Sequence, residues 1–413
     1  MSTVLPFKGL RPKSEFAARI ASPPYDVLSS SEARAVVKEN RLSFLRVNKP
    51  EVDFPPEQSA YTYEVYNSGK KVLDSMISKG QLVKDNKPSF YLYQLSWRAK
   101  SQTGLVCVCP VDEYENGSIK KHELTHPQKV SDRADHMVAL NAQVGPVMMT
   151  LKPNQEITRL FDLLTESRAD IDFEADDSVR HRIWAISDDE SIGKLKAAFE
   201  PVDFLYIADG HHRSESAFEV RRRLKEKNAA HNGSEPYNYF LVVIFPSDQM
   251  RILSYNRVVT DLGELSFEEL LKKAEQNFII EKSDTPFEPL TKTDFGIYSG
   301  GQWYKLSARD GIFDSGNPSA AIGSAILESS FLKPYLQIED VRENSRIEFV
   351  GGIRGLGDLE RLVDSGKFAI AFSVSAVTVG QLLQVADANQ IMPPKSTWFE
   401  PKLRSGLLSH TFD

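Results

Sequence analysis

The sequence predicts an α/β (α+β) protein that is built from mixed sheets with flanking helices. Short apolar runs with strand-like alternation recur along the chain, between longer segments whose apolar residues repeat with a helical period. A composition of 41% hydrophobic and 26% charged residues is typical of a globular protein. At roughly 100–200 residues per domain, a chain of 413 residues is long enough for two domains, which we place at 1–240 and 241–413.

The individual elements are predicted from apolar period and from the residues that flank each run. Helices are predicted at 30–39, 58–79, 156–170, 190–199, 214–227 and 265–277, with another in the tail 380–413. Strands are predicted at 42–47, 90–97, 104–110, 179–187, 203–208, 239–245 and 252–259, with another inside 362–379. We expect two hairpins, one from 90–97 with 104–110 and one from 239–245 with 252–259.

Net charge, apolar runs and cysteine usage indicate which partners and which cellular compartment to expect. The formal net charge of −7 argues against a nucleic-acid partner, because the phosphate backbone attracts basic surfaces. The one dense basic run, 221–227, is predicted to be the solvated face of a helix. No apolar run reaches the about 20 residues that a membrane span needs, so no membrane partner is expected. Cys107 and Cys109 alternate on one predicted strand, so we expect a buried reduced pair and a cytoplasmic protein.

The strongest local signal for function is a turn between a strand and a helix, Asp209-Gly210-His211-His212-Arg213, which we call the 209–213 turn. A strand that feeds a helix in this way points backbone N–H groups and the positive end of the helix dipole at one spot, which is a ready anion site. Gly210 allows close approach of the backbone. Arg213 can grip phosphate oxygens with two donors, and Asp209 can hold a divalent cation or accept a proton.

A second polar segment lies at 112–136 and contains His122-Glu123-Leu124-Thr125-His126, which matches the H-E-x-x-H zinc-protease pattern. That chemistry needs a helix, whereas Pro127 follows the motif directly, so a zinc protease is disfavoured. A glutamate beside a bound phosphate can still act as a general base, and a solvated loop is the alternative.

Two proline-rich segments are the remaining candidates for functional sites. Residues 393–399 join rigid prolines with Lys395, two hydroxyls and two aromatic side chains, and with Lys402 and Arg404 they can close over a phosphate or a carboxylate. The alternative is a segment that docks its aromatic residues in the core. Pro23-Pro24-Tyr25-Asp26, which we call the 23–26 turn, is interpreted as a rigid structural turn.

These motifs jointly resemble a prokaryotic family that is catalogued as domain of unknown function 1015 (DUF1015). The resemblance spans most of the chain, and members of the family tend to be encoded near serine-synthesis genes. Its motifs are Pro23-Pro24-Tyr25-Asp26-Val27, His122-Glu123-Leu124-Thr125, Ala208-Asp209-Gly210-His211-His212-Arg213 and Met392-Pro393-Pro394-Lys395-Ser396-Thr397.

The 209–213 turn and the helix after it also resemble the signature box of the ParB/sulfiredoxin superfamily, over about residues 200–225. Members of that superfamily use the matching strand, turn and helix to hold nucleotide phosphates, and the Asp-Gly-His box here is most similar to that of free serine kinase. The resemblance therefore implies a ParB/sulfiredoxin-like nucleotide-binding core with an additional lobe. Histidine stands where the sulfinic-acid reductases of the superfamily need a cysteine, which puts that activity in doubt.

We therefore predict an enzyme that transfers a phosphoryl group between a nucleotide and a small hydroxylated metabolite, with serine as the favoured acceptor and Mg²⁺ with ATP or ADP as cofactors. The alternatives are a phosphatase or metal-dependent hydrolase that uses His122, His126, His211 and His212, and a protein that binds a nucleotide or metabolite without catalysis. The sequence leaves the oligomeric state open. The predicted site residues are Asp209, Glu123 and His212 as catalytic groups, with Asp209 also as the metal ligand; Gly210, His211, His212 and Arg213 for phosphate; and Lys395, Ser396, Thr125 and Arg404 for substrate.

Overall fold

The computed structural model describes residues 2–413, and the chain divides into two compact units. The first unit contains the chain up to Lys121, then Thr125–Met250 and Pro401–Asp413. The second unit contains His122–Leu124 and Arg251–Glu400. Each unit has its own sheet, and the last thirteen residues belong to the first unit although they follow the second one in sequence.

The first unit is organised around a mixed eight-stranded sheet. The strand Leu205–Asp209 runs parallel to one neighbour, Ile119–Lys120, and antiparallel to the other, Val147–Leu151. Parallel and antiparallel pairs in one sheet confirm the predicted mixed architecture. In order across the sheet the strands are Ile119–Lys120, Leu205–Asp209, Val147–Leu151, Tyr239–Pro246, Lys100–Pro110, Phe90–Trp97, Arg180–Ile186 and Ile171–Glu174.

Helices flank this sheet, and several begin where the sequence predicts them. Ser29 forms a capping box with Glu32 at the start of Ser30–Glu39, so both groups satisfy backbone donors that a helix terminus leaves open. The helices of the first unit are Ser14–Ile20, Ser30–Glu39, Leu45–Asn48, Tyr63–Ser78, Val111–Glu115, Pro127–Leu140, Gln155–Leu164, Asp189–Phe199 and His211–Lys227, with short 3₁₀ turns at Pro50–Asp53, Pro236–Asn238 and Ser247–Gln249. Two short ladders join Leu10–Pro12 to Leu82–Lys84 and Ala142–Gln143 to His410–Thr411.

An apolar core lies against this sheet and fixes the strand that leads into the 209–213 turn. Leu205 and Ile207 are fully buried there, together with Val242 of the strand Tyr239–Pro246. Cys107 and Cys109 lie in the same core, where both are buried and free, as the sequence predicts. Burial of large apolar side chains is the main driving force of folding, so the end of this strand has little freedom to move.

The second unit contains a six-stranded sheet in which every pairing is antiparallel. Its strands are, in order, Phe278–Ser283, Gln302–Ala308, Asp294–Ser299, Ile370–Val374, Tyr255–Val259 and Ile347–Gly351. A separate ladder pairs Arg251–Leu253 with Trp398–Glu400. Its helices are Phe267–Ala274, Gly323–Leu327, the π-helical Glu328–Leu332, Lys333–Leu336, Leu356–Asp364 and Val379–Asp387, with a 3₁₀ turn at Gly352–Arg354.

Three local predictions are wrong, each for a physical reason. The strand expected at 42–47 is a helix, Leu45–Asn48, because a short apolar run carries no period that separates the two states. The hairpin expected from 239–245 and 252–259 does not form, because Tyr239–Pro246 pairs with Lys100–Pro110 and Val147–Leu151 instead. No helix was predicted inside 112–136, yet one begins at Pro127. Proline is tolerated at the first position of a helix, because the backbone N–H that it lacks would have no acceptor within the helix.

The helices found within residues 2–413 include none with the length and apolar character that a membrane crossing requires.

Candidate functional site: the 209–213 turn

The candidate site begins where the buried strand Leu205–Asp209 ends and the helix His211–Lys227 starts one residue later. Gly210 joins them with φ +103°, a conformation that L side chains rarely adopt. A Cβ atom at this position would also lie only 3.0 Å from Cζ of Arg213. Glycine is therefore required here twice over, for the backbone conformation and for the space that Arg213 occupies.

The helix starts three residues earlier than the predicted Ser214, so His211, His212 and Arg213 form its first turn. The first four N–H groups of any α-helix have no acceptor within the helix, and the dipole places a partial positive charge at that end. Gly210, the residue directly before this helix, has no side chain that could cap it. A helix start at the carboxyl end of a buried strand is a common place for phosphate to bind.

The carboxylate of Asp209 is held by two cations. Arg213 Nη2 and Lys402 Nζ both lie 3.3 Å from Asp209 Oδ2. Arg213 reaches back to Asp209 from the first turn of the helix. Lys402 lies in the C-terminal segment that belongs to the first unit, and the sequence carries no local signal that it pairs with a residue 193 positions away.

Arg213 is almost completely buried, with 6% of its surface exposed. Its Nη1 donates a hydrogen bond to the carbonyl oxygen of Pro146. Burial alone would lower the pKa of Arg213, but the negative charges of Asp209 and Asp26 outweigh it and raise that pKa. The guanidinium therefore stays charged and fixes the orientation of the Asp209 carboxylate. Its predicted contact with phosphate remains a prediction.

The 23–26 turn and the C-terminal segment of the first unit lie beside Arg213. A Cβ atom on Gly145 would contact both Arg213 Cδ, at 3.6 Å, and Ser405 Oγ, at 3.9 Å. Ser405 pairs in turn with Ser22, through backbone hydrogen bonds of 3.1 and 2.9 Å. Three segments that are remote in sequence thus meet around one buried guanidinium.

The 23–26 turn is itself fixed by two further cations. Arg133 Cζ lies 4.3 Å from the centroid of the Tyr25 ring, and Lys49 Nζ donates to the Tyr25 carbonyl at 3.2 Å. Burial, with the charge of Asp26, raises the pKa of Tyr25 to about 12. We interpreted this turn as structural from the sequence, and the structure adds that its Asp26 carboxylate acts electrostatically on Arg213.

The histidines of the turn differ in their surroundings. His211 is buried, with 5% exposed, whereas His212 is only partly buried. The backbone N–H of His126 donates to Nε2 of His212 at 3.0 Å, so Nε2 is the unprotonated ring nitrogen and the proton lies on Nδ1. This hydrogen bond brings the segment that contains Thr125, a predicted substrate residue, to the start of the helix His211–Lys227.

The H-E-x-x-H segment does not have the geometry of a zinc protease. The helix begins only at Pro127, so His122 and His126 do not share one helical face. The structure thereby confirms the sequence argument from Pro127. His122 and Glu123 belong to the second unit, where the N–H of Met392 donates to the His122 carbonyl at 2.8 Å.

The predicted C-terminal motif is divided between the two units. Lys395 and Ser396 belong to the second unit, and Arg404 belongs to the first. The guanidinium of Arg404 forms an ion pair with Asp177. The backbone N–H of Arg404 donates to the Tyr93 hydroxyl at 3.4 Å. The substrate roles of these three residues remain predictions.

The basic run after the turn is neutralised by carboxylates. Arg222 is exposed on the helix surface, as expected of a solvated face, while Arg221 and Arg223 are more covered. The ion pairs of these three arginines involve Asp112, Glu115, Glu219, Glu226 and Asp135. These bonds hold the helix His211–Lys227 to the helices Val111–Glu115 and Pro127–Leu140, which fixes the start of the helix as well.

Comparison with known proteins identifies a family. The model of the family described as "Protein of unknown function (DUF1015)" matches residues 4–329. No curated protein matches the chain.

Several solved structures are similar to this chain at low identity. They include a free serine kinase in complex with AMP, with 12% identity and a TM-score of 0.36 over 71% of this chain and 86% of that one. A conserved hypothetical protein from Pyrococcus furiosus has 12% identity and a TM-score of 0.36 over 73% and 93% of the two chains. SbnI from Staphylococcus aureus, truncated at its C-terminus, has 11% identity and a TM-score of 0.37 over 73% and 86%. Similarity at this level carries no inference about function.

Proposed function

This chain belongs to the DUF1015 family of proteins of unknown function, and from that premise we propose that its first unit binds nucleotide phosphates at the 209–213 turn. The protein then transfers a phosphoryl group between that nucleotide and a small hydroxylated metabolite, with free serine as the favoured acceptor. One observation carries the proposal: the Asp209 carboxylate is held between Arg213 and Lys402 at the start of a helix.

The charge balance of this arrangement favours an anion. Arg213 and Lys402 flank Asp209, and Asp26 acts electrostatically on Arg213, so the side-chain charges nearly balance and the partial positive charge of the helix terminus favours an anion. Arg213 is buried and fixed by the Pro146 carbonyl, whereas Lys402 has a flexible side chain that is 17% exposed. Lys402 is therefore the cation that can turn from Asp209 to a phosphate oxygen when a nucleotide arrives.

Mg²⁺ would enter this place together with the nucleotide. Magnesium is usually bound through one or two carboxylates together with phosphate oxygens and water, and Asp209 would supply the carboxylate once Lys402 turns to a phosphate oxygen. When bound, the ion would neutralise charge that develops on the transferred phosphoryl group. The remaining contribution of the chain is to position and stabilise charge, through the helix N–H groups and Lys402.

The proposed step is an in-line displacement at phosphorus. The acceptor hydroxyl oxygen forms a bond to the terminal phosphorus, and the bond from that phosphorus to the bridging oxygen breaks. The leaving nucleotide keeps the electron pair, and the hydroxyl proton passes to a carboxylate. Asp209 is held by two cations, so it orients the Mg²⁺ ion or the acceptor hydroxyl instead of taking this proton. Glu123 remains our sequence prediction for a general base, and the variant Glu123→Gln tests it.

Nucleotide binding is the first test. We expect isothermal titration with Mg²⁺ and ATP, ADP or CTP to show binding by at least one nucleotide. Lys402→Ala should weaken that affinity by about 10-fold or more, as expected when a charged hydrogen bond is lost. Lys84→Ala is the matched control, because Lys84 forms a surface ion pair with Asp413 and should leave affinity unchanged. Absence of binding for all three nucleotides would contradict the proposal.

Turnover then separates the proposed activity from its alternatives. A kinase transfers labelled terminal phosphate to one member of a panel of hydroxylated metabolites that includes serine. Release of inorganic phosphate from phosphate esters without transfer would identify a phosphatase, and stoichiometric zinc by elemental analysis would identify a metal-dependent hydrolase. Nucleotide binding without either reaction would identify a sensor.

A further inference from the structure

Residues 393–396 of the second unit form a turn, the 393–396 turn, with an unusual backbone. Lys395 has φ +57°, in the left-handed region that long side chains rarely adopt. Its side chain is exposed, so no burial of apolar surface explains the conformation. Such a conformation persists only where surrounding contacts hold it, and residues of this kind concentrate at functional sites.

One set of contacts pins the residue after Lys395. Ser396 is buried, with 6% exposed, and its hydroxyl donates to the Pro393 carbonyl at 2.7 Å. The same hydroxyl lies 2.7 Å from Ser324 Oγ. Because a hydroxyl has one hydrogen, Ser396 accepts in this second bond and Ser324 donates. Ser396 thus closes the turn on itself and ties it to the helix Gly323–Leu327.

The other contact comes from Arg257 in the interior strand Tyr255–Val259. Only 3% of Arg257 is exposed, and its guanidinium donates to the Tyr255 carbonyl and, at 3.3 Å, to the Lys395 carbonyl. The carboxylate of Glu328 acts on this guanidinium electrostatically. Burial lowers the pKa of Arg257 to about 10, which still leaves the group charged at neutral pH.

The buried charge of Arg257 contributes little to the stability of the fold, since an apolar side chain of similar volume usually stabilises a core as well or better. What Arg257 adds is a fixed bridge between a rigid strand and the carbonyl of Lys395 itself. Tyr255, two residues earlier on that strand, carries an aromatic ring whose centroid lies 5.8 Å from Lys395 Nζ. Trp398 packs edge-on against the same ring at 5.1 Å. The backbone and the side chain of Lys395 are therefore set against the same strand.

We infer that Arg257 is the positioning residue for Lys395: it holds the left-handed backbone of the 393–396 turn and so fixes the direction in which the Lys395 ammonium meets an anionic substrate group. This inference rests on the proposed function insofar as Lys395 binds the phosphate or carboxylate of a substrate. Arg257 itself touches no substrate, and Ser396 and Ser324 hold the same turn from its other side.

Steady-state kinetics of single and double variants test the inference. Lys395→Ala should raise KM for the acceptor about 10-fold, with kcat changed less than about 3-fold, because it removes a binding cation. Arg257→Met should raise KM to a similar extent. The double variant should be no worse than Lys395→Ala alone, because Arg257 acts through Lys395. KM effects that multiply in the double variant, or an unchanged KM in Arg257→Met, would overturn the inference.

Two matched controls separate positioning from general damage. Lys305 Nζ lies 5.7 Å from the Phe287 ring centroid, much as Lys395 lies over Tyr255, so Lys305→Ala should leave KM unchanged. Arg346 donates to the carbonyls of Leu336 and Asp261 and pairs with the Asp261 carboxylate, so Arg346→Met removes at least as many bonds elsewhere and should leave KM unchanged. If Arg257→Met does not fold, Arg257→Lys keeps the charge but has one nitrogen in place of the two that each reach a carbonyl, and it should show the same KM effect.

A measurement without turnover keeps this inference separate from the proposed function. Trypsin cleavage after the exposed Lys395 should accelerate about 10-fold or more in Arg257→Met and stay unchanged in Arg346→Met. If no nucleotide binds and no phosphate is transferred, the proposed function fails, while this cleavage result still decides whether Arg257 holds the turn. Equal cleavage rates in the wild-type protein and in Arg257→Met would overturn the positioning role.

Discussion

At the scale of single residues, the Asp209–Arg213 pair decides what the site can do. The sequence indicates both residue types and their order, but not that Arg213 folds back on Asp209 and on the Pro146 carbonyl. Nor does it indicate that Lys402 supplies the second cation, because contacts between remote segments leave no local pattern. The predicted site residues stay predictions, and our proposal adds Lys402 to them because it is the second cation beside Asp209.

Arg213→Met should destabilise the first unit by about 2–4 kcal/mol, because removal of one partner from a buried pair leaves the Asp209 carboxylate and the Pro146 carbonyl poorly satisfied. Urea unfolding measures this loss. Arg180→Met is the control, since its ion pair with Asp172 is exposed and such pairs contribute only about 0–1 kcal/mol. Equal loss in the two variants would show that Arg213 is not a fixed part of the fold.

At the scale of elements, the helix after the turn shows where sequence patterns fail. The sequence predicts a start at Ser214, but the helix begins at His211, directly after Gly210. Because glycine has no side chain that could accept a hydrogen bond from the first turn, the usual residue signal for a helix start is missing here. By contrast, Ser30–Glu39 begins at the predicted residue, since its capping box can be read from Ser29 and Glu32.

Gly210→Ala should disturb the turn more than its backbone conformation alone implies. Left-handed backbone costs an L residue about 1–2 kcal/mol, and the new Cβ would in addition meet Arg213 at 3.0 Å. Gly233→Ala is the matched control, with φ +93° and no atom within 4 Å of the added Cβ. We expect a larger drop in the unfolding free energy, and weaker nucleotide binding, only for Gly210→Ala. Identical losses would show that the contact with Arg213 has no effect.

At the scale of the whole molecule, the two sheets with flanking helices follow from apolar period, and the strands Phe90–Trp97 and Tyr239–Pro246 lie close to where that period predicts them. The return of Pro401–Asp413 to the first unit does not follow, because it depends on pairings such as Ser22 with Ser405 and Gln143 with His410. Local period cannot encode such pairings.

Stability of the first unit should fall in mild acid. Burial lowers the pKa of His136 and of His181 to about 3 in the folded protein. In the unfolded chain the pKa of a histidine is about 6.5. Above pH 6.5 both histidines are neutral in both states. Below it the unfolded chain binds protons that the folded protein excludes, so the unfolding free energy falls by about 1.4 kcal/mol per pH unit for each histidine, until the pH reaches the folded pKa.

Urea unfolding at pH 7, 6 and 5 measures this effect. The unfolding free energy of the wild-type protein should fall by about 2 kcal/mol for each of these two histidines between pH 7 and pH 5. The double variant with His136→Gln and His181→Gln should lose correspondingly less over the same range, whatever its stability at pH 7. The same acid sensitivity in that variant would exclude these histidines as its cause.

The central claim is that Asp209, between Arg213 and Lys402, is the centre of phosphoryl transfer, and transfer of labelled terminal phosphate from Mg²⁺-ATP or Mg²⁺-ADP to serine tests it most directly. Asp209→Asn preserves the shape of the side chain but removes the charge that both cations share. We predict transfer by the wild-type protein and a loss of about 100-fold or more in Asp209→Asn with the fold retained. Transfer at an undiminished rate by the folded Asp209→Asn variant would contradict the account.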